Sequence, residues 1–156
     1  MKKQLMIALL GGLVALSSCK KDEDPEPEVV TPAPATLYTR LGGIEAISAV
    51  TDKFLSNVAS DATINSRFAA TVADPYRLQL LRNNLIDQIC AASAGPCQYK
   101  GKTMMEAHDG MMITDEEFGA LVGDLVGALD FYSVPATEKN ELLTILGSLQ
   151  PDIVNQ

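Results

Sequence analysis

The chain has 156 residues, 47% of them hydrophobic, with no tryptophan and only 5% aromatic residues. That length suggests one domain plus extensions, and the composition favours a helical core over an aromatic-rich β sandwich. A formal charge of −8 without a basic cluster argues against a nucleic-acid partner.

Met1-Lys2-Lys3 gives a positive start, and Leu5 to Leu16 is an apolar run too short to span a bilayer comfortably. Together they predict a secretory leader over residues 1–18. Leu16-Ser17-Ser18-Cys19 resembles a bacterial lipobox, whose cysteine is diacylated and becomes the new N-terminus; an ordinary leader with an incidental cysteine is the alternative. Residues 19–36 then carry Lys-Lys-Asp-Glu-Asp and Pro25, Pro27, Pro32 and Pro34. Such a segment cannot bury enough surface to order itself and stays extended. The expectation is a lipidated Cys19, a disordered acidic tether, and a location at the bacterial cell envelope, periplasmic or facing outward.

Residues 37–156 read as one all-α domain. A short segment, Leu37–Leu41, precedes a bend at Gly42-Gly43. Ile44, Ile47, Thr51, Phe54 and Val58 then fall on one face of a first long helix. A second starts at Asp74-Pro75, a good N-cap followed by a residue suited to the first turn. Its expected buried stripe is Leu78, Leu81, Leu85 and Ile89, and Ala94-Gly95-Pro96 ends it. Between Cys97 and Met112 only Thr103 to His108 is a helical candidate. Thr114 and Glu117 form a capping box for a third long helix, with Ile113 and Phe118 as a hydrophobic staple. Phe118, Leu121, Val122, Leu125, Val126 and Leu129 line it, and Ser133 to Pro135 breaks it. A last helix carries Leu142, Leu143, Ile145, Leu146 and Leu149.

Two groups in this domain carry chemistry. Cys90 and Cys97 remain after Cys19 is lipidated, an even pair in an oxidising compartment. They are either a disulfide, worth roughly 2–3 kcal/mol for so short a loop, or two buried thiols. His108 is the only histidine. Imidazole is a common ligand of haem iron, and one histidine makes neither a zinc site nor a triad. It equally suits a surface position at a helix C-terminus, where positive charge meets the macrodipole.

The surrounding motifs favour the first role. Leu37-Tyr38-Thr39-Arg40-Leu41-Gly42-Gly43 resembles the opening of group 1 truncated haemoglobins. Gly95-Pro96-Cys97-Gln98-Tyr99-Lys100-Gly101 resembles that family's Gly-Pro-x-x-Tyr-x-Gly run. Met104 to His108, then Gly110 and Ile113-Thr114-Asp115-x-x-Phe118, resembles its proximal histidine segment, and Val134-Pro135 with the Leu-rich end resembles its final helix. The resemblance covers nearly all of Leu37–Val154. It implies a two-over-two helical sandwich around one haem b, with His108 as the proximal iron ligand. Phe54 and Phe68 match phenylalanines that pack on the macrocycle. Leu81, Leu85 and Ile89 match the haem-facing side of the distal helix. Met104, Phe118, Val122 and Leu125 match proximal contacts. Tyr99 and Arg82, then Lys100 and Lys102, are the candidate donors to the propionates.

The chain departs from the family on the distal side. Where many relatives carry a tyrosine that donates to the bound gas, this chain has Leu55. Leu81 and Leu85 stand where polar groups are common, leaving Asn84 and Gln88 as polar candidates. Asn84 lies where some relatives place a second histidine, so double-histidine ligation is excluded. A hydrogen bond to a partly anionic ligand is worth roughly 1.5–3 kcal/mol, about tenfold to a hundredfold in affinity. The expected function is therefore reversible binding of O2 or another diatomic gas. A haem enzyme (nitric oxide dioxygenase or weak peroxidase, served by a reductase), a haem-holding lipoprotein and a haem-free module follow in that order.

Overall fold

The structure is a computed structural model that describes residues 34–156. The leader over 1–18, Cys19 and nearly all of the tether over 19–36 lie outside the described residues. Among those described there are seven α-helices and no strand. Gly42 and Gly43 turn the chain between α1 (Leu37–Arg40) and α2 (Gly43–Ser60) with φ of 96° and 75°, a region glycine enters without a Cβ penalty. α2 buries Ile47, Val50, Thr51, Phe54 and Val58, at helical steps of three and four. Ile44, expected on this face, is 41% exposed. It sits in the first turn, which runs past the surface that the neighbouring helices cover.

A helix absent from the sequence reading follows. α3 (Asn65–Val72) has no capping side chain and no fully buried residue; it is short and packs Phe68 against the core, so no cap or long apolar stripe announces it. α4 (Pro75–Ala92) begins as expected: Asp74 accepts from the amides of Tyr76 and Arg77 at 2.9 and 3.2 Å. Its stripe is rotated from the expected one. Ile86, Ile89 and Cys90 are buried, whereas Leu78, Leu81 and Leu85 are only half-buried.

α5 (Met104–His108) is one short turn, opened by a capping box between Thr103 and Glu106. α6 (Asp115–Phe131) starts on the expected Thr114–Glu117 box, and the staple residues Ile113 and Phe118 share one apolar cluster. α7 (Ala136–Gly147) buries Leu142 and leads into a 3-10 turn at Gln150–Asp152. α2 packs on α4 within one layer and on α6 across to the other, where α6 meets α7; α3 joins α2 to α4. This is the two-over-two arrangement.

The core lies in two clusters. The first joins Leu37 to the buried faces of α2, α4, α6 and α7, with Val58, Cys90, Ala128, Leu129 and Leu142 almost fully enclosed. The second holds Ile113, Phe118 and Ile153, with Met104, Met111, Val122, Leu149 and Val154 against them. Cys90 and Cys97 are joined by a disulfide, Cα atoms 5.7 Å apart, which ties the end of α4 to the loop before α5. Gly95 makes that turn possible. A Cβ there would stand 2.5 Å from the Tyr38 ring and 2.8 Å from the Cys90 carbonyl oxygen.

Candidate functional site

His108 ends α5, half-buried, and its Nδ1 lies 2.7 Å from the carbonyl oxygen of Met104 one turn earlier. A carbonyl only accepts, so Nδ1 carries the proton and donates. In the neutral form of the ring Nε2 is then the unprotonated nitrogen, and no hydrogen bond involves it among the described residues. This is how a ligating imidazole is set for metal: the bond at one nitrogen fixes the tautomer and orientation of the other. The capping box of Thr103 with Glu106 fixes the start of the same turn.

The apolar side chains expected around the histidine divide between the two clusters. Phe54 of α2, Ile89 of α4 and Leu125 of α6 are buried in the first, with Leu55, Phe68 and Leu85 packed on its margin. Phe118 is buried in the second, flanked by Met104 and Val122. Leu81 is half-buried on α4. Buried members of the expected set are 6–9% exposed, while the deepest core residues are at 0–1%. The expected residues thus belong to both clusters, and the Gln88–Met104 hydrogen bond joins α4 to α5. One imidazole whose orientation is fixed by Met104, in a chain whose apolar side chains remain part-covered at Met104, Met111 and Val122, fits an apolar group carrying a metal that takes one protein ligand.

The polar candidates have definite partners. Gln88 Nε2 donates to Met104 Sδ at 3.2 Å, linking α4 to α5. Asn84 is half-buried. Arg82 is turned toward α2, where its guanidinium donates twice to Asp52, at 2.8 Å from Nη2; the Arg82 hydrogen bond holds the Asp52 carboxyl below its ordinary range. Tyr99 donates to the Lys102 carbonyl at 2.8 Å, and burial pushes its hydroxyl pKa up. Lys100 and Lys102 are exposed on the loop before α5. Leu55, Asp52, Ser56, Ala59, Val72, Leu78 and Arg82 border an open cleft of about 310 Å³ between α2, α3 and α4.

One constellation had no signal in the sequence reading. Arg67 of α3 donates from Nε and Nη2 to the two carboxylate oxygens of Glu117, at 2.7 and 2.9 Å, and from Nη1 to the Met111 carbonyl at 2.9 Å. Glu117 was visible as a cap residue, but a partner 50 positions earlier was not. The Arg67 hydrogen bonds, above all, lower the Glu117 carboxyl to about 2.

The bacterial-like globin family model matches residues 36–155. The group 1 truncated hemoglobin GlbN of Mycolicibacterium paratuberculosis is 32% identical over 120 residues, 77% of this chain and 85% of that protein. The fold overlays on the truncated hemoglobin of Tetrahymena pyriformis in its Fe(III) form, with a TM-score of 0.71 at 26% identity, covering 78% of this chain and 100% of that one. A 2/2 hemoglobin from Synechococcus sp., in the cyanomet state with covalently attached heme, gives 0.69 at 30% identity, covering 78% and 100%.

Proposed function

The chain belongs to the bacterial-like globin family, with group 1 truncated hemoglobins among its relatives, and on that premise we propose that it holds haem b through His108 and binds a diatomic gas reversibly at the cell envelope. When bound, the haem supplies an iron that takes up O2 and similar gases. The observation that carries the ligand assignment is the 2.7 Å bond from His108 Nδ1 to the Met104 carbonyl. It orients the ring and leaves Nε2 for the metal. Phe54, Phe68, Leu81, Leu85, Ile89, Met104, Phe118, Val122 and Leu125 supply the apolar walls. They exclude water from the group and add van der Waals contact.

Arg82 is engaged by Asp52 and the Tyr99 hydroxyl by Lys102. The exposed Lys100 and Lys102 are therefore the readier partners for the propionates. On the gas-binding side Leu55 offers no donor, and the Gln88 amide is engaged by Met104. Asn84 is the remaining polar candidate. A pocket so poor in donors favours rapid, reversible exchange over the tightly held O2 that a dioxygenase needs.

Absorption spectra of the haem-reconstituted chain, oxidised, reduced and with CO, test the reading. His108→Ala should abolish normal haem retention, and an unchanged Soret band and ferrous–CO spectrum in that variant would overturn the assignment. The envelope location rests on the lipobox-like Leu16-Ser17-Ser18-Cys19 and the acidic, proline-rich stretch after it. Cys19→Ser should release the protein from membranes or block its maturation, whereas continued incorporation of a labelled lipid precursor would refute lipidation at that residue.

A further inference from the structure

α5 has five residues, far too few to hold a helical turn unaided. The position of His108 therefore depends on what fixes its two flanks. Upstream, the Thr103–Glu106 box does so. Downstream, the His108 carbonyl accepts from the Met111 amide at 2.9 Å. Met112 then adopts a φ of 49°, a left-handed conformation costly for a residue with a Cβ. Its amide donates to Gln156 at 2.7 Å, and Asn155 donates to the Ile113 carbonyl at 2.9 Å. The C-terminal tail thus secures one side of the link between α5 and α6.

Arg67 secures the other side. One guanidinium spends three donors on two places, the Glu117 carboxylate at the start of α6 and the Met111 carbonyl within the link. Glu117 also accepts from the Thr114 amide at 2.9 Å, so the ion pair is continuous with the cap of α6. An isolated surface ion pair contributes little. This one differs because the same planar fork also grips the backbone that carries the histidine, which a lysine cannot reproduce.

We infer that Arg67 is a positioning residue for His108: from α3, with Glu117, it clamps the α5–α6 link and so sets the height and tilt of the imidazole toward the haem iron. The inference rests on the reading of His108 as the iron ligand. Among the described residues Arg67 makes no hydrogen bond to the histidine ring; it acts through the Met111 carbonyl and the cap.

The test uses the full chain, haem-loaded and haem-free, as Arg67→Gln, Arg67→Lys, Glu117→Gln and the double variant Arg67→Gln/Glu117→Gln, with His108→Ala as the reference. In the haem-free chain, Arg67→Gln should speed hydrogen exchange at the Met111 and Met112 amides by roughly tenfold, the scale of one lost charge-assisted hydrogen bond. In the haem-loaded ferrous protein it should shift the iron–histidine stretching band and speed haem transfer to excess apomyoglobin severalfold. Glu117→Gln should produce the same shift, and the double variant no larger one, because the two side chains act as a unit. Arg67→Lys should restore little. A lowered melting temperature with an unmoved iron–histidine band in Arg67→Gln would reduce the clamp to ordinary stabilisation and overturn the inference. Full restoration by lysine would overturn it as well, since a point charge would then suffice. If His108→Ala keeps the band, the ligand assignment itself falls, a result distinct from either of these.

Discussion

The two apolar clusters are enclosed to different degrees. Around the crossing of α2 with α6, Val58 and Leu129 are 1% exposed and Thr51 and Ala128 are at 0%, with the Thr51 hydroxyl bonded to the Ile47 carbonyl. Around His108, the three buried members of the second cluster are 8–9% exposed, and Met104, Met111 and Val122 beside them are only half-buried. The side chains at that crossing are covered by protein on every side. The buried members of the second cluster are slightly less enclosed. Met104 and Met111, both part-covered, are joined to His108 by hydrogen bonds through their backbones, and on the proposed reading a non-protein group completes this part of the core.

Truncation should therefore act differently in the two regions. Leu129→Ala should destabilise the haem-free and haem-loaded chains alike by roughly 2–5 kcal/mol, because a fully enclosed side chain leaves a cavity in both. Val122→Ala should cost the haem-free chain less than about 1 kcal/mol, the part-exposed side chain having little transfer energy to lose, and should cost more once haem is bound. Urea unfolding of both variants in both states measures this. Equal costs with and without haem at Val122 would break the comparison.

The regions also differ in how much of them the sequence disclosed. Local signals did well. Asp74-Pro75 and the Thr114–Glu117 box mark helix starts that the structure keeps, because a cap is a contact between residues two or three apart. The weakly amphipathic α4 misled the reading of its face: Leu78, Leu81 and Leu85 follow a helical spacing, but of the expected stripe only Ile89 is buried, beside Ile86 and Cys90. α3 has no side-chain cap and only eight residues, so Phe68 was read without the helix that carries it. In the site, His108 stood out as the single histidine, and its motif supplied the role. Its Nδ1 bond to Met104 follows from the turn it ends, but the Arg67–Glu117 clamp and the Arg82–Asp52 pair join helices distant in sequence. Charge alone does not say which arginine meets which acid.

The proposed gas-binding side sharpens the contrast on a smaller scale. Leu55 lies one residue after the buried Phe54 and is itself half-buried, at the edge of the cleft between α2, α3 and α4. On the proposed reading Leu55→Tyr would put a hydroxyl beside the ligand position, at a part-buried site on the edge of the first cluster. Stopped-flow measurement should show O2 release slowed by roughly tenfold or more, the value of one such hydrogen bond. A native protein that already releases O2 slowly, with no gain from the tyrosine, would mean that another donor, Asn84 first, controls the pocket, and would favour the dioxygenase reading.

The smallest expected effect concerns the boundary between the two regions on α6. Asp124 lies between Val122, which packs on the second cluster, and Leu125, which is buried in the first. Its Oδ2 is buried with no hydrogen-bond partner among the described residues. Burial, and then the neighbouring charge of Asp61, push its carboxyl above the ordinary value of 3.8. A carboxyl raised in the folded state favours folding while it stays protonated. Its contribution is complete below the unfolded value and is lost as pH rises through the raised one. At neutral pH the ionised Asp124 therefore opposes folding. Asp124→Asn removes the charge and supplies an amide that can pair with the Asp61 side. It should raise the melting temperature at pH 7 by an amount worth less than about 1 kcal/mol, since water still screens part of the carboxylate. The gain should vanish near pH 3, where the native carboxyl is already protonated. Thermal melts of both proteins at the two pH values check this. A gain of equal size at both would assign the effect to packing, and a loss at pH 7 would show that the buried oxygen has a partner, such as an ordered water, that the protein groups alone do not reveal.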